Sequence, residues 1–302
     1  MKRHTLFCTV AALAAGFGLQ GPALGGSLLA EDGQILRGRA IALAPAETDT
    51  AGGGGASADD QKAAAAELAK KLQNPVANLI SVPIQNNWDF GIGPANAMRY
   101  TANVQPVIPF SLNENLNLIT RTIVPVIYAE SPVKGGRDAW GLGDVVQSFF
   151  LSPAEPVAGW IVGAGPVLLY PSATDSTLGG GKWGAGPTAV VLQQKNGWTY
   201  GALANHLWSY EGWGNNEVNA TFVQPFLSYT TKKFTTFGLA TESTYDWSNR
   251  QWTVPLVASV SQLLKIGKQP AQFSLGAKYY ADKPSGGPDW GLRFAVTFLF
   301  PK

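Results

Sequence analysis

The stretch Trp290-Gly291-Leu292-Arg293-Phe294-Ala295-Val296-Thr297-Phe298-Leu299-Phe300 alternates with a period of two. Trp290, Leu292, Phe294, Val296, Phe298 and Phe300 share one side of an extended chain, and Gly291, Arg293, Ala295 and Thr297 share the other. One face is therefore continuously apolar while the other tolerates a charge. The same pattern occurs upstream, where Ile80, Val82, Ile84, Trp88 and Phe90 alternate with Ser81, Gln85, Asn87 and Asp89. Between these ends, further segments of about 10 to 14 residues repeat it, long enough to cross a hydrocarbon core when tilted near 45°. The expected strands cover 79–91, 98–111, 116–129, 141–151, 158–171, 183–195, 197–209, 218–231, 234–247, 251–264, 271–283 and 290–300. Twelve such strands predict an all-β chain closed into an antiparallel transmembrane β-barrel. Closure follows because each unpaired backbone group facing lipid would cost several kcal/mol.

The connections between these strands alternate in length. Those after odd strands are mostly long, as in 130–140, 172–182 and 210–217, whereas those after even strands shrink to Lys232-Lys233 or to Asn196 alone. Long loops on one rim and short turns on the other are an outer-membrane barrel pattern. Tryptophan placement agrees with it. Trp88, Trp140, Trp183, Trp208, Trp247, Trp252 and Trp290 fall at the long-loop ends, and Trp160 and Trp198 at the short-turn ends. Indole prefers the headgroup boundary, so these nine are candidate membrane-interface residues. Pro106, Pro125, Pro166, Pro187, Pro225 and Pro255 lie within strands and predict bulges or bends.

Composition excludes several classes. The chain has 302 residues and is 14% charged, against roughly 25% for an ordinary globular protein. A single apolar run exceeds a dozen residues, at the start, so helical spans of about 20 apolar residues are excluded. An aromatic content of 11% excludes disorder. The +2 formal charge is dispersed rather than blocked, which argues against nucleic acid as a partner.

The first 25 residues read as a cleaved export signal. Lys2, Arg3 and His4 form its positive region, Leu6 to Leu19 its apolar stretch, and Ala23-Leu24-Gly25 its small-residue cleavage site. Cys8 is the only cysteine and lies inside that signal, so the remaining chain has no thiol for disulfides, catalysis or metal binding. Residues 26–78 form a periplasmic linker. Gly52 to Gly55 make it flexible, and an alanine-rich stretch from Asp59 to Leu72 predicts a short helix ending before Asn74-Pro75. This helix carries no aromatic residue, and the favoured role for it is a tether, with a plug or lid as the alternative. The barrel occupies 79–302.

The strand faces opposite lipid supply the candidate lumen-lining and selectivity residues Asp89, Arg99, Asn117, Arg121, Asp144, Glu242, Asp246, Lys278, Asp282 and Arg293, with Asn103, Gln105 and Gln272 beside them. Both charge signs occur. They suit a constriction for small polar or zwitterionic solutes, or pairing across a narrow interior, with Asp89 and Arg99 as one such pair. Catalysis finds little support. A barrel lipase needs a base with serine two residues away on the lipid-facing side, but Trp208 holds that position relative to His206, and Ser209 points the other way. The run Gly179-Gly180-Gly181-Lys182 fails as a phosphate loop, since Ser176 replaces the earlier glycine and Trp183 the hydroxyl residue. No cluster suits a metal, and no cofactor is expected.

Several motifs together resemble a known family. They are Gln105-Pro106-Val107-Ile108-Pro109-Phe110, Gly141-Leu142-Gly143-Asp144, Trp183-Gly184-Ala185-Gly186-Pro187, Gln224-Pro225-Phe226, Glu242-Ser243-Thr244-Tyr245-Asp246-Trp247 and Trp290-Gly291-Leu292-Arg293. Over about residues 75–302 the chain resembles a bacterial family labelled as the MetA pathway of phenol degradation or as a transporter, some members of which bear the label neuromedin U. The resemblance implies an exported outer-membrane barrel of a Gram-negative bacterium, with outer-membrane lipids, the barrel-assembly machinery and a small-molecule solute as partners. It supplies no catalytic or binding residue to carry over. The expected role is passive diffusion of small solutes, with a non-conducting scaffold or surface protein as the alternative and a lipid-modifying enzyme behind both.

Overall fold

In a computed structural model of the chain, residues 58–267 and 269–301 are described. The expected export signal at 1–25 and the linker up to residue 57 lie outside these residues. One helix, α1 (Ala58–Leu72), precedes the strands. Asp59 and Asp60 sit in its first turn and Lys70 and Lys71 in its last, matching the helix dipole at both ends. The strands are β1 (Ile80–Ile92), β2 (Ala97–Val104), β3 (Val107–Asn113), β4 (Leu116–Ala129), β5 (Ala139–Leu142), β6 (Val145–Pro153), β7 (Ile161–Tyr170), β8 (Lys182–Lys195), β9 (Trp198–Gly212), β10 (Asn219–Thr230), β11 (Thr235–Thr241), β12 (Ser243–Asp246), β13 (Gln251–Ile266), β14 (Gln269–Asp282) and β15 (Trp290–Phe300).

All pairings are antiparallel, and β15 pairs back onto β1 from Ile80↔Phe300 to Phe90↔Trp290, which closes the sheet. Three crossings are interrupted, at β2/β3, β5/β6 and β11/β12, so the fifteen segments form a twelve-stranded barrel as expected. Proline explains the interruptions. Pro106 has no N–H to keep β2 and β3 in one ladder. Opposite Pro125 the register shifts by one residue between Val126↔Leu142 and Ile123↔Val146, a bulge that holds Gly143 and Asp144. Glu242 divides β11 from β12 opposite Pro255, where β13 also bulges against β14. Pro225 keeps a continuous ladder with β9 but faces the β11/β12 interruption on its other side.

Register decides the faces. Asn87↔Arg293, Asp89↔Gly291 and Gln85↔Ala295 point inward together, and their neighbours Trp88, Leu292 and Phe294 point out. The outer surface carries a band of exposed apolar side chains, including Leu239, Leu256, Leu275, Tyr279 and Leu292. In water such a surface would associate, whereas in hydrocarbon it is solvated.

The interior departs from the expected polar lumen. Ile119, Phe150, Val167, Leu169, Val190, Leu192, Leu203 and Leu207 all point inward from β4 and β6–β9 and are almost fully buried. One wall of the barrel is therefore largely apolar, and most of the charged candidates lie on the opposite wall, with Asn117 and Arg121 flanking Ile119 on β4.

A second departure concerns the segment around α1. Val76 is buried among Ile119, Phe150, Val190, Leu192 and Leu203, while Ala69, Ala77 and Leu79 pack on Leu263 and Leu299. Gln194 donates to the Lys70 carbonyl (2.8 Å), and Ser228 donates to Gln73 (3.2 Å). The end of α1 and the segment after it thus fill the short-turn end of the barrel as a stopper, the placement that the plug alternative expects and a free tether does not. Small aliphatic side chains suffice for this because the apolar wall supplies the bulk of the packing.

Where proline lacks an N–H, the strands approach closely. A Cβ on Gly186, beside Pro187, would stand 1.8 Å from the His206 carbonyl oxygen. Gly186→Ala is expected to push β9 off β8 and destabilise the barrel by about 1–3 kcal/mol. The temperature at which the folded band is lost on unboiled gels checks this.

Candidate functional site in the barrel interior

The polar wall is organised around two ion pairs. Arg293 of β15 donates through Nη1 and Nη2 to both Glu242 oxygens at 2.7 Å, and through Nε to Asn87 at 2.8 Å. Lys278 of β14 reaches Asp89 of β1 at 2.5 Å, and the Tyr280 hydroxyl donates to the same oxygen at 2.9 Å. Arg99 lies directly opposite Asp89 in the register but makes no ion pair among the described residues. The expected Asp89–Arg99 pair is therefore corrected to Asp89–Lys278, because Lys278 reaches across β15 and its partner Gly291 presents no side chain. Arg121 of β4 donates to Gln105 at 2.8 Å. Together four cations, Arg99, Arg121, Lys278 and Arg293, face two carboxylates, so this belt has excess positive charge.

The remaining candidates divide by position. Asn117 is buried near the short-turn end, opposite Ser152. Asp246 and Asp282 lie at the long-loop rim. Asp246 accepts from the Ser248 and Asn249 amides, and Asp282 accepts from Gln251. Asp144 sits in the β5/β6 bulge and accepts the backbone N–H of Ala173 (3.1 Å) and Gly181 (2.9 Å). These two bonds fold loop 171–181 inward, so that Leu178 is buried against Ile127. Asp144→Ala is expected to leave two buried amides without partners, at about 1–3 kcal/mol each. Faster hydrogen exchange over residues 172–181, with the strands unchanged, checks it.

Between the stopper and the Glu242–Arg293 pair lies a cavity of about 330 Å³. Its lining includes Gln85, Gln105, Arg121, Gln224, Glu242 and Gln272 on polar sides, with Val107, Leu203 and Phe226 on the apolar side and Gln73 to Pro75 beneath. Loop 171–181 covers part of the opposite end.

On the outer surface, Trp140, Trp160, Trp183, Trp198, Trp208, Trp247, Trp252 and Trp290 are exposed, and Trp88 is half-buried against Tyr100. Trp290 stacks on Phe90 at 4.5 Å and Trp198 lies 4.9 Å from Tyr229. His206 points outward. Its Nδ1 lies 2.7 Å from Thr221 and its ring packs on Trp208, while the Ser209 hydroxyl oxygen accepts from the Val218 amide. Among the described residues no group of His, Cys, Asp and Glu is placed to hold a metal ion.

Sequence reasoning missed the apolar wall and the inward loop, and held the stopper only as the alternative to a tether. A signal for the first existed: Ile161–Tyr170 is apolar at both parities apart from its glycines.

Overlay on solved structures shows what this architecture is. The COG4313 outer membrane channel from Pseudomonas putida F1 superposes with a TM-score of 0.59 at 14% identity, covering 74% of this chain and 96% of that one. The fold is that of an outer-membrane β-barrel. Outer membrane phospholipase A from Escherichia coli (12% identity, 80% and 98% coverage, TM-score 0.44) and the CymD monoaromatic hydrocarbon channel (8%, 77% and 92%, 0.44) superpose more loosely. No family model and no curated protein matches the chain, so the likeness to the MetA-pathway family rests on its motifs alone.

Proposed function

We propose that the barrel is an outer-membrane channel that passes small solutes passively through its lumen and rests in a closed state. The observation that carries this reading is the origin of the seals. Both the stopper around Val76 and the loop around Leu178 are contributed by segments outside the wall, and a polar cavity lies behind them. Seals of this kind can withdraw without breaking a strand ladder. The charged belt then sets selectivity, and the exposed tryptophans fix the depth of the barrel among outer-membrane lipids, with insertion by the barrel-assembly machinery. The expected removal of residues 1–25 and the periplasmic location of 26–78 belong to the same proposal. No chemical step is assigned to the chain, since His206 faces Thr221 and Trp208.

One observation favours a second reading. The stopper is packed on five apolar side chains, as a permanent plug of a non-conducting scaffold would be. Proteoliposome swelling separates the two readings. The channel reading expects small uncharged and anionic solutes to enter vesicles holding the full-length protein faster than empty vesicles, and equal rates across a size panel favour the scaffold.

A further inference from the structure

Arg121, like Arg99, is an interior cation outside every ion pair among the described residues, and of the two it is Arg121 that lines the cavity. Arg293 is neutralised by both oxygens of Glu242, and Lys278 by Asp89, whereas Arg121 has no carboxylate within ion-pair distance among the described residues. Its contact is the Gln105 side chain. Because guanidinium has donors only, Gln105 must turn its oxygen to Arg121, and this leaves the amide NH2 as a further donor. Gln105 is itself 6% exposed, held where the proline-broken β2/β3 crossing bends. A planar fork and an adjacent amide, all donors, lie on the cavity wall. That is a receptor for a carboxylate, which guanidinium takes in a bidentate geometry.

The same cavity is apolar a short distance away, at Val107, Leu203 and Phe226. Its volume of about 330 Å³ is on the order of ten water volumes at roughly 30 Å³ each. We propose that Arg121 and Gln105 form a binding site for the carboxylate of a small amphipathic monocarboxylic acid whose hydrocarbon part rests on Val107, Leu203 and Phe226. The inference deepens the channel reading and rests on it for its physiological sense, but the site can be tested by itself.

The experiment is titration calorimetry of the full-length protein in micelles with hexanoate, its neutral counterpart hexanamide, and acetate. Hexanoate is expected to bind at least tenfold more tightly than either. Arg121→Gln is expected to weaken hexanoate tenfold or more, Gln105→Leu several-fold, and Arg121→Lys less than Arg121→Gln. The heat-resistant folded band confirms each barrel, and if Arg121→Gln fails to fold, the hexanoate–hexanamide comparison on the parent still decides. Equal affinity for hexanoate and hexanamide, or an unchanged hexanoate affinity in folded Arg121→Gln, overturns the proposal. Hexanoate binding without passage of any solute in the swelling assay rejects the channel and leaves the site standing. Passage of solutes without hexanoate binding does the reverse.

Discussion

Oxidation of a protein carrying Val76→Cys and Gly163→Cys is expected to slow solute entry at least tenfold, and reductant is expected to restore it. The geometry suits a disulfide, since Val76 Cγ1 lies 3.3 Å from where a Cβ on Gly163 would stand. A sulfur at the Cγ1 position is then close to the separation that a relaxed disulfide requires. Gly163 faces inward from β7, so the bond would pin the stopper to the apolar wall without touching the charged belt. A Cys8→Ser background removes the chain's only other thiol. Each single substitution should pass solutes at a rate insensitive to reductant. If the oxidised and reduced double variants pass solutes equally fast, the stopper does not move during transport.

The largest effect on stability is expected at Glu242. Its two oxygens hold Arg293 at 2.7 Å each, with both side chains mostly withdrawn from solvent. Glu242→Ala leaves a buried guanidinium with Asn87 as its remaining hydrogen-bond partner, and loss of one member of a buried pair costs about 3–5 kcal/mol. Replacing both, as Glu242→Leu with Arg293→Met, should recover most of that loss because no unpaired charge remains. Urea unfolding of the protein in lipid vesicles measures the cycle. A single variant as stable as the parent would show that solvent reaches the pair freely.

The wall of the barrel was legible because lipid imposes it. β4 and β15 begin and end where the period-two pattern does, at 116–129 and 290–300, since each outward position must be apolar and each turn must not be. The interior has no such uniform constraint. In β7, Val167 and Leu169 point inward while Val162 and Leu168 point out, so alternation carries no information about which face meets lipid. Ion pairing was hidden for a related reason. Glu242 and Arg293 lie on crossings separated by β13 and β14, and Lys278 reaches Asp89 over β15, so adjacency in register does not reveal either pair. The stopper ranked behind a tether because of its composition: Ala69, Val76, Ala77 and Leu79 are too few and too small to read as a core until the apolar wall opposite them is known.

That the lumen is the solute path and the segment before β1 its closure is tested most directly by current across a planar bilayer. Single channels of the full-length protein should show small, infrequent openings, and a protein lacking residues 58–78 should show a several-fold larger conductance with a preference for anions. An equally tight seal from both proteins, with the shortened chain still giving a folded barrel, would contradict the account.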